Sequence, residues 1–280
     1  MEVFMSNGQT QADKQLSEEH LKDNLARIKH KIVVISGKGG VGKSTISVNL
    51  AYGLALQGKK VGILDVDIHG PSIAKMLGIE DKKLEISEDG VRAKPIRVVN
   101  NLYAVTLASM LQNPDEPVIW RGPLKMGAIK QFLSDIKWPE LDYLVVDCPP
   151  GTGDEPLSAI QIIGDMDGAI IVSTPQDVAL LDARKSIRFA QMLKVPVLGL
   201  IENMAGFKCP HCGETIDIFA GNGVKKAAED FGAEILGSIP IDPTIVNTGD
   251  EGRPYIYDYG KMDGAKVMQE ITRKVINLTK

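Results

Sequence analysis

The stretch Gly37-Lys-Gly-Gly-Val-Gly-Lys43-Ser44-Thr45 constrains this 280-residue chain more than any other feature. It follows the apolar run Lys31-Ile-Val-Val-Ile-Ser36 and opens an amphipathic segment of helical length, so a G-x-x-x-x-G-K-S/T phosphate loop stands between a strand and a helix. Glycines at 37, 39, 40 and 42 let the main chain wrap closely around an anion. Amide N–H groups at the helix N-terminus then face that anion, with the positive end of the helix dipole behind them. In such a loop Gly37, Lys38, Gly39, Gly40, Val41 and Gly42 form the cradle, and Lys43 reaches the β and γ phosphates. The Ser44 hydroxyl is placed to ligate Mg²⁺, and Thr45 contacts the α phosphate. ATP with Mg²⁺ is the expected ligand.

A loop of this kind needs a parallel sheet behind it, and the rest of the sequence supplies one. Short β-branched runs recur at 60–65, 102–106, 143–147, 168–173, 197–201 and 234–239. Helix-length amphipathic segments alternate with them at about 43–57, 122–136, 156–164, 179–193, 222–231 and 263–278. Strands that are apolar along their whole length imply burial on both faces. The expected fold is therefore α/β: a doubly wound, mostly parallel sheet with helices on both sides, forming one domain over residues 31–280. Residues 1–30 are polar and charged and read as a flexible tail with room for one short helix from Ser17. The polar stretch 78–101 reads as a solvated loop or small hairpin without chemistry.

Composition narrows the class further. The net charge of −4 leaves no global basic surface for nucleic acid or an anionic membrane. No window reaches 18 apolar residues, and the N-terminus lacks a signal-peptide pattern, so neither export nor membrane spanning is expected. Three cysteines are too few for a disulfide framework, which fits a reducing cytoplasm.

Carboxylates stand where strands end. Asp147 follows Tyr143-Leu-Val-Val146 and precedes Cys-Pro-Pro-Gly-Thr-Gly-Asp154: an acid for the metal's water shell, then a mobile loop with Gly151 as backbone sensor of the γ phosphate. Asp65 and Asp67 end another run, two residues apart and so on one side of an extended chain. Cys148 reads as a small buried residue and His69 as a loop residue rather than a base.

The loop GKGGVGKST resembles that of the MinD, ParA, nitrogenase iron protein and Mrp group of dimeric ATPases. The resemblance implies that Lys38 crosses a homodimer interface to stabilise charge on the partner's nucleotide. It also implies that Asp67 orients the attacking water and that Asp65 holds Mg²⁺ through water. Asn203, Pro240 and Asp242, at two later strand ends, would form the adenine slot.

Cys209-Pro-His-Cys212, in an insert at about 203–220, is a clip of two thiolates, half of a tetrahedral shell. Two copies across a symmetric dimer would complete it. With GKGGVGKS, DVDIHGPS, DCPPGTGDE and NMAGFKCPHC all present, the chain resembles the Mrp and ApbC-type iron–sulfur cluster carriers. That resemblance implies a 4Fe–4S cluster bridged between protomers by Cys209 and Cys212 and handed to apo iron–sulfur proteins under ATP control. A zinc staple and a dithiol redox switch remain open for the clip. The rival reading is a MinD- or ParA-like positioning switch whose paired cysteines bind structural zinc.

Overall fold

Residues rich in Val and Ile, bounded by Gly, Pro and Asp, become strands here because they bury on both sides at once. The computed structural model describes residues 11–67, 70, 72–106, 122–209, 211–219 and 221–280, with no side-chain description at residues 12, 122–126 and 128. His69 lies outside the described residues.

The chain runs α1 (Gln11–Ala26), β1 (Ile28–Ile35), α2 (Lys43–Leu56), β2 (Val61–Asp65), α3 (Ile73–Met76), β3 (Glu85–Ile86), β4 (Ala93–Lys94), β5 (Ile96–Val99) and β6 (Leu102–Thr106). It continues with α4 (Gly122–Ser134), β7 (Leu141–Asp147), α5 (Asp154–Ile163), β8 (Gly168–Ser173), α6 (Leu180–Met192), β9 (Val197–Lys208) and β10 (Thr215–Ile216). Last come α7 (Gly223–Phe231), β11 (Ile235–Ile241), α8 (Pro243–Asp250), α9 (Tyr255–Asp258) and α10 (Asp263–Leu278).

The sheet order is β10-β9-β8-β1-β7-β2-β6-β5, with β11 also paired to β9. All pairings in it are parallel except the two edge pairs β5/β6 and β10/β9. In β1 the side chains alternate between two cores: Ile32 and Val34 join α2, α9 and α10, whereas Val33 and Ile35 join α4, α5, α6 and α7. Helices therefore cover both faces, as the strand composition requires. β1 lies at the centre, between β8 and β7, so its C-terminal end opens at a topological switch point where α/β sheets bind ligands.

Two expectations change. Residues 11–30 are not a flexible tail, because α1 docks on the end of α4. Buried Asn24 donates from Nδ2 to the carbonyls of Leu133 at 2.7 Å and Ile136 at 2.6 Å, and Leu21 and Leu25 pack into the core. The apolar stripe of α1 is only a few leucines wide, which hides it among charged residues. The region 78–101 does hold the small hairpin, β3 with β4, but it also supplies β5, which extends the main sheet as its antiparallel edge.

Candidate functional site

β1 ends at Ile35, and the chain turns through residues 36–42 before α2 starts at Lys43. Gly42 sets the turn. It has φ 82°, and a Cβ there would stand 2.2 Å from Asn203 Nδ2. Asn203 Nδ2 donates to the Val41 carbonyl at 2.8 Å, so the last residue in the buried run of β9 clamps the loop from outside. A Cβ on Gly37 would meet the Asp182 carbonyl at 2.5 Å, which fixes the loop's entry against α6. No side chain caps α2. Its first amides have no partner within the helix and face the loop's concavity.

Buried charge sits directly behind the loop. Lys43 Nζ lies 2.8 Å from Asp147 Oδ2, with side-chain exposures of 6% and 0%. Ser44 Oγ donates to the same oxygen at 2.7 Å, and Ser47 Oγ donates to Oδ1 at 2.6 Å. Two ions this far from water are tolerable only when paired and when the remaining lone pairs are filled, which the two hydroxyls do. Parallel pairing of β2 with β7 sets Asp65 beside Asp147. Asp65 is fully buried, and that burial, with the neighbouring Asp147 charge, holds its carboxyl well above the usual carboxylate range. Its Oδ1 accepts from the Asp67 amide at 3.0 Å, whereas Oδ2 is buried without a partner. An orphaned oxygen next to Asp147 and Ser44 is a vacancy in the hydrogen bonding that a hydrated hard cation would fill, so this donor set fits Mg²⁺.

The other expected residues divide. Gly151, φ 95°, donates its amide to the Ser36 carbonyl at 2.8 Å, joining the loop after β7 to the phosphate loop. Asp67 is nearly buried, and its Oδ1 accepts from the Gly70 amide at 3.2 Å. Lys38 Nζ lies against Gln176 Oε1 of its own chain at 3.5 Å. Asn203 pairs in register with Ile239, which brings Pro240 to the same rim. Asp242 is occupied structurally: Oδ1 caps α8 through the Thr244 amide at 2.8 Å, and Oδ2 accepts from the Tyr255 hydroxyl at 2.7 Å. Ser47 and Gln176 were not singled out from sequence. Ser47, one helical turn beyond Ser44, shares its face and was legible in principle.

The paired cysteines occupy the far end of β9. That strand does not stop at 201; it continues to Lys208, turns, and pairs back with β10. The tip is closed by Cys209 N donating to the Glu214 carbonyl at 2.8 Å and Gly213 N to the Cys209 carbonyl at 2.9 Å. Cys209 is half-buried and Cys212 exposed. The Cys212 and His211 amides and the Cys212 thiol all face the Cys209 sulfur and lower its pKa, favouring the thiolate a metal needs. Among the described residues no group of three or more His, Cys, Asp or Glu converges on a metal position. Cys148 is the opposite case. Burial drives its thiol far upward, and it has the small core role expected of it.

A family model described as ParA, NUBPL iron-transfer P-loop NTPase, matches residues 27–276. An iron-sulfur cluster carrier protein of Methanocaldococcus jannaschii is 50% identical over 257 residues, 91% of this chain and 88% of that protein. A cytosolic Fe-S cluster assembly factor of Rattus norvegicus is 44% identical over 256 residues, 91% of this chain and 94% of that one. Among solved structures, a nucleotide-binding protein in complex with ADP from Archaeoglobus fulgidus superposes with a TM-score of 0.76 at 40% identity, over 86% of this chain and 93% of the other. The Pyrococcus furiosus cell division ATPase MinD gives a TM-score of 0.65 at 24% identity over 89% and 99%, a likeness of fold alone.

Proposed function

The chain belongs to the NUBPL-type iron-transfer P-loop NTPases of the ParA group, and from that premise we propose that it is an ATP-hydrolysing iron–sulfur cluster carrier acting as a homodimer in the cytoplasm. Cys209 and Cys212 of two copies hold one 4Fe–4S cluster and release it to apo iron–sulfur proteins. The observation that carries this reading is the hairpin tip. It holds Cys209 half-buried and Cys212 exposed on one turn, and the described residues form no group of three or more metal ligands there, so a four-thiolate shell needs a second copy.

Beyond the C-terminal end of β1, the loop amides and Lys43 bind the triphosphate, and Lys38 leaves Gln176 to reach the partner's nucleotide as the dimer closes. Asp67 orients the attacking water, and Gly151 exchanges its bond to Ser36 for one to the γ phosphate. Ser44, Asp65 and Asp147 would hold Mg²⁺, which when bound neutralises charge on the phosphates. Asn203 and Pro240 border the base, with Asp242 behind them as a helix cap. Turnover is slow, as intrinsic hydrolysis in such loops generally is.

The positioning-switch reading is less well supported. α10 buries Ala265, Met268, Ile271 and Val275 in the core and so lacks a free apolar face for a membrane. No helix among the described residues is long and apolar enough to cross one. The decisive experiment is anaerobic reconstitution of wild type and of Cys209→Ser/Cys212→Ser, with iron, zinc and sulfide assayed and the dimer followed by ultracentrifugation. Wild type is expected to take up four irons and four sulfides per dimer, and the variant none, with ATP binding unchanged. Zinc without sulfide in wild type, or full iron uptake by the variant, would refute the carrier reading.

A further inference from the structure

The end of the sheet away from the phosphate loop holds a cavity of about 660 Å³ that the carrier reading does not use. It lies where strands begin: Arg27 precedes β1, Trp138 and Pro139 precede β7, and Tyr103 is the second residue of β6. Asp147, by contrast, ends β7, so roughly 20 Å of strand separates the cavity from the nucleotide.

Its walls are fixed in advance. The β3/β4 hairpin forms one side, and its tip is organised by Asp89. Asp89 Oδ1 accepts from Ser87 Oγ at 2.5 Å, Val91 N at 3.0 Å and Arg92 N at 2.9 Å. Backbone bonds tie the hairpin to the chain beyond α4: Ala93 N to Asp135 O and Lys137 N to Ala93 O, both at 2.7 Å. Arg92 adds ion pairs to Asp89 at 3.0 Å and to Asp23 of α1 at 3.3 Å. A cavity held in this way binds without first paying to order its walls.

The lining is cationic in a chain whose net charge is −4. Some of that charge is neutralised: Arg27 pairs with Asp23 at 3.2 Å, Lys94 with Glu88 at 2.5 Å and Lys137 with Asp89 at 3.6 Å. The rest is not. Lys82 donates to the Arg97 carbonyl at 3.4 Å and Arg97 to Asn100 Oδ1 at 2.9 Å, both neutral acceptors. With the ion pairs set aside, Lys82, Lys83 and Arg97 face a single lining carboxylate, Glu85. Trp138, fully buried, is part of the lining, and its Nε1 is one of the few buried donors without an acceptor. A surplus of cations around a half-open cleft of small-molecule size selects one chemistry.

We propose that this cavity is a second ligand site, for a compact multivalent anion carrying carboxylate or phosphate groups, separate from the nucleotide loop and from the cysteine hairpin. Lys82 and Arg97 supply the attraction, and the pinned hairpin supplies the shape.

The test is isothermal titration of the full chain, its nucleotide loop saturated with Mg–ADP, using tricarballylate in one arm and tripolyphosphate in the other. Saturable binding in either arm is expected at low ionic strength, and the arm that binds identifies the acid group. In Lys82→Ala/Arg97→Ala, both exposed positions with no core contact, the affinity should fall about tenfold or more with an unchanged melting temperature. The proposal is overturned if neither probe gives saturable heat, or if the double variant binds as wild type does.

Discussion

The phosphate-loop end of the sheet and the cysteine hairpin solve opposite problems. Around Lys43 and Asp147 the chain has excluded water, paired its charges and filled carboxylate lone pairs with hydroxyls, leaving one oxygen of Asp65 unmatched. At Cys209 and Cys212 it has kept the thiols at the surface and supplied only half a coordination shell. One region is walled in and paired by side chains of its own chain, whereas the other leaves two thiols without further protein ligands among the described residues. Under the proposed carrier function, the buried charges suit a site that keeps its geometry, and the accessible thiols suit one whose load must leave.

The sharpest way to break the comparison is thiol chemistry. Iodoacetamide at neutral pH is expected to modify Cys209 orders of magnitude faster than Cys148, since one thiolate is stabilised by amides and the other thiol is buried and pushed upward. Peptide mapping over time checks it; equal rates would mean the loop after β7 opens freely. Next in size is Lys43→Ala, expected to cut ATP turnover by about 10²-fold or more while cluster uptake at the hairpin persists. Loss of both together would show that the two sites are not separable. Gly42→Ala should weaken nucleotide binding by about tenfold, because the new Cβ must displace Asn203 from Val41, a strain worth roughly 1–3 kcal/mol. Calorimetry with a non-hydrolysable ATP analogue measures it.

The smallest effect concerns Asp65. A carboxyl raised in the folded state keeps protons that the unfolded chain releases, so its contribution to stability falls as pH rises above the ordinary carboxylate range. Asp65→Asn should therefore raise the melting temperature of the nucleotide-free protein at neutral pH by a few degrees, about 1 kcal/mol, with the gain vanishing as pH falls toward 4. The same substitution should weaken Mg²⁺ binding. A gain that grows at low pH would contradict the sign of the shift.

Much of this was readable from residue order. The phosphate loop, Asp147 and the parallel sheet follow from glycine spacing and from apolar runs that leave no polar face, which are local signals. The docking of α1 was not legible, because its hold depends on Asn24 reaching carbonyls of Leu133 and Ile136 more than a hundred residues away. Nor was the occupation of Asp242, whose partner Tyr255 lies beyond an intervening helix. The extension of β9 past 201 was hidden because Met204 and Gly206 have positive φ, at 61° and 78°, and break the alternation that marks a strand.

That same irregular strand carries Asn203 at the phosphate loop and leads into Cys209 at the hairpin tip, within about 20 Å of backbone. The hairpin is thus no interchangeable cassette. Deleting one residue between them would leave the clamp on Val41 in place and turn the sulfurs toward the wrong side, so the spacing constrains the site as firmly as either residue does.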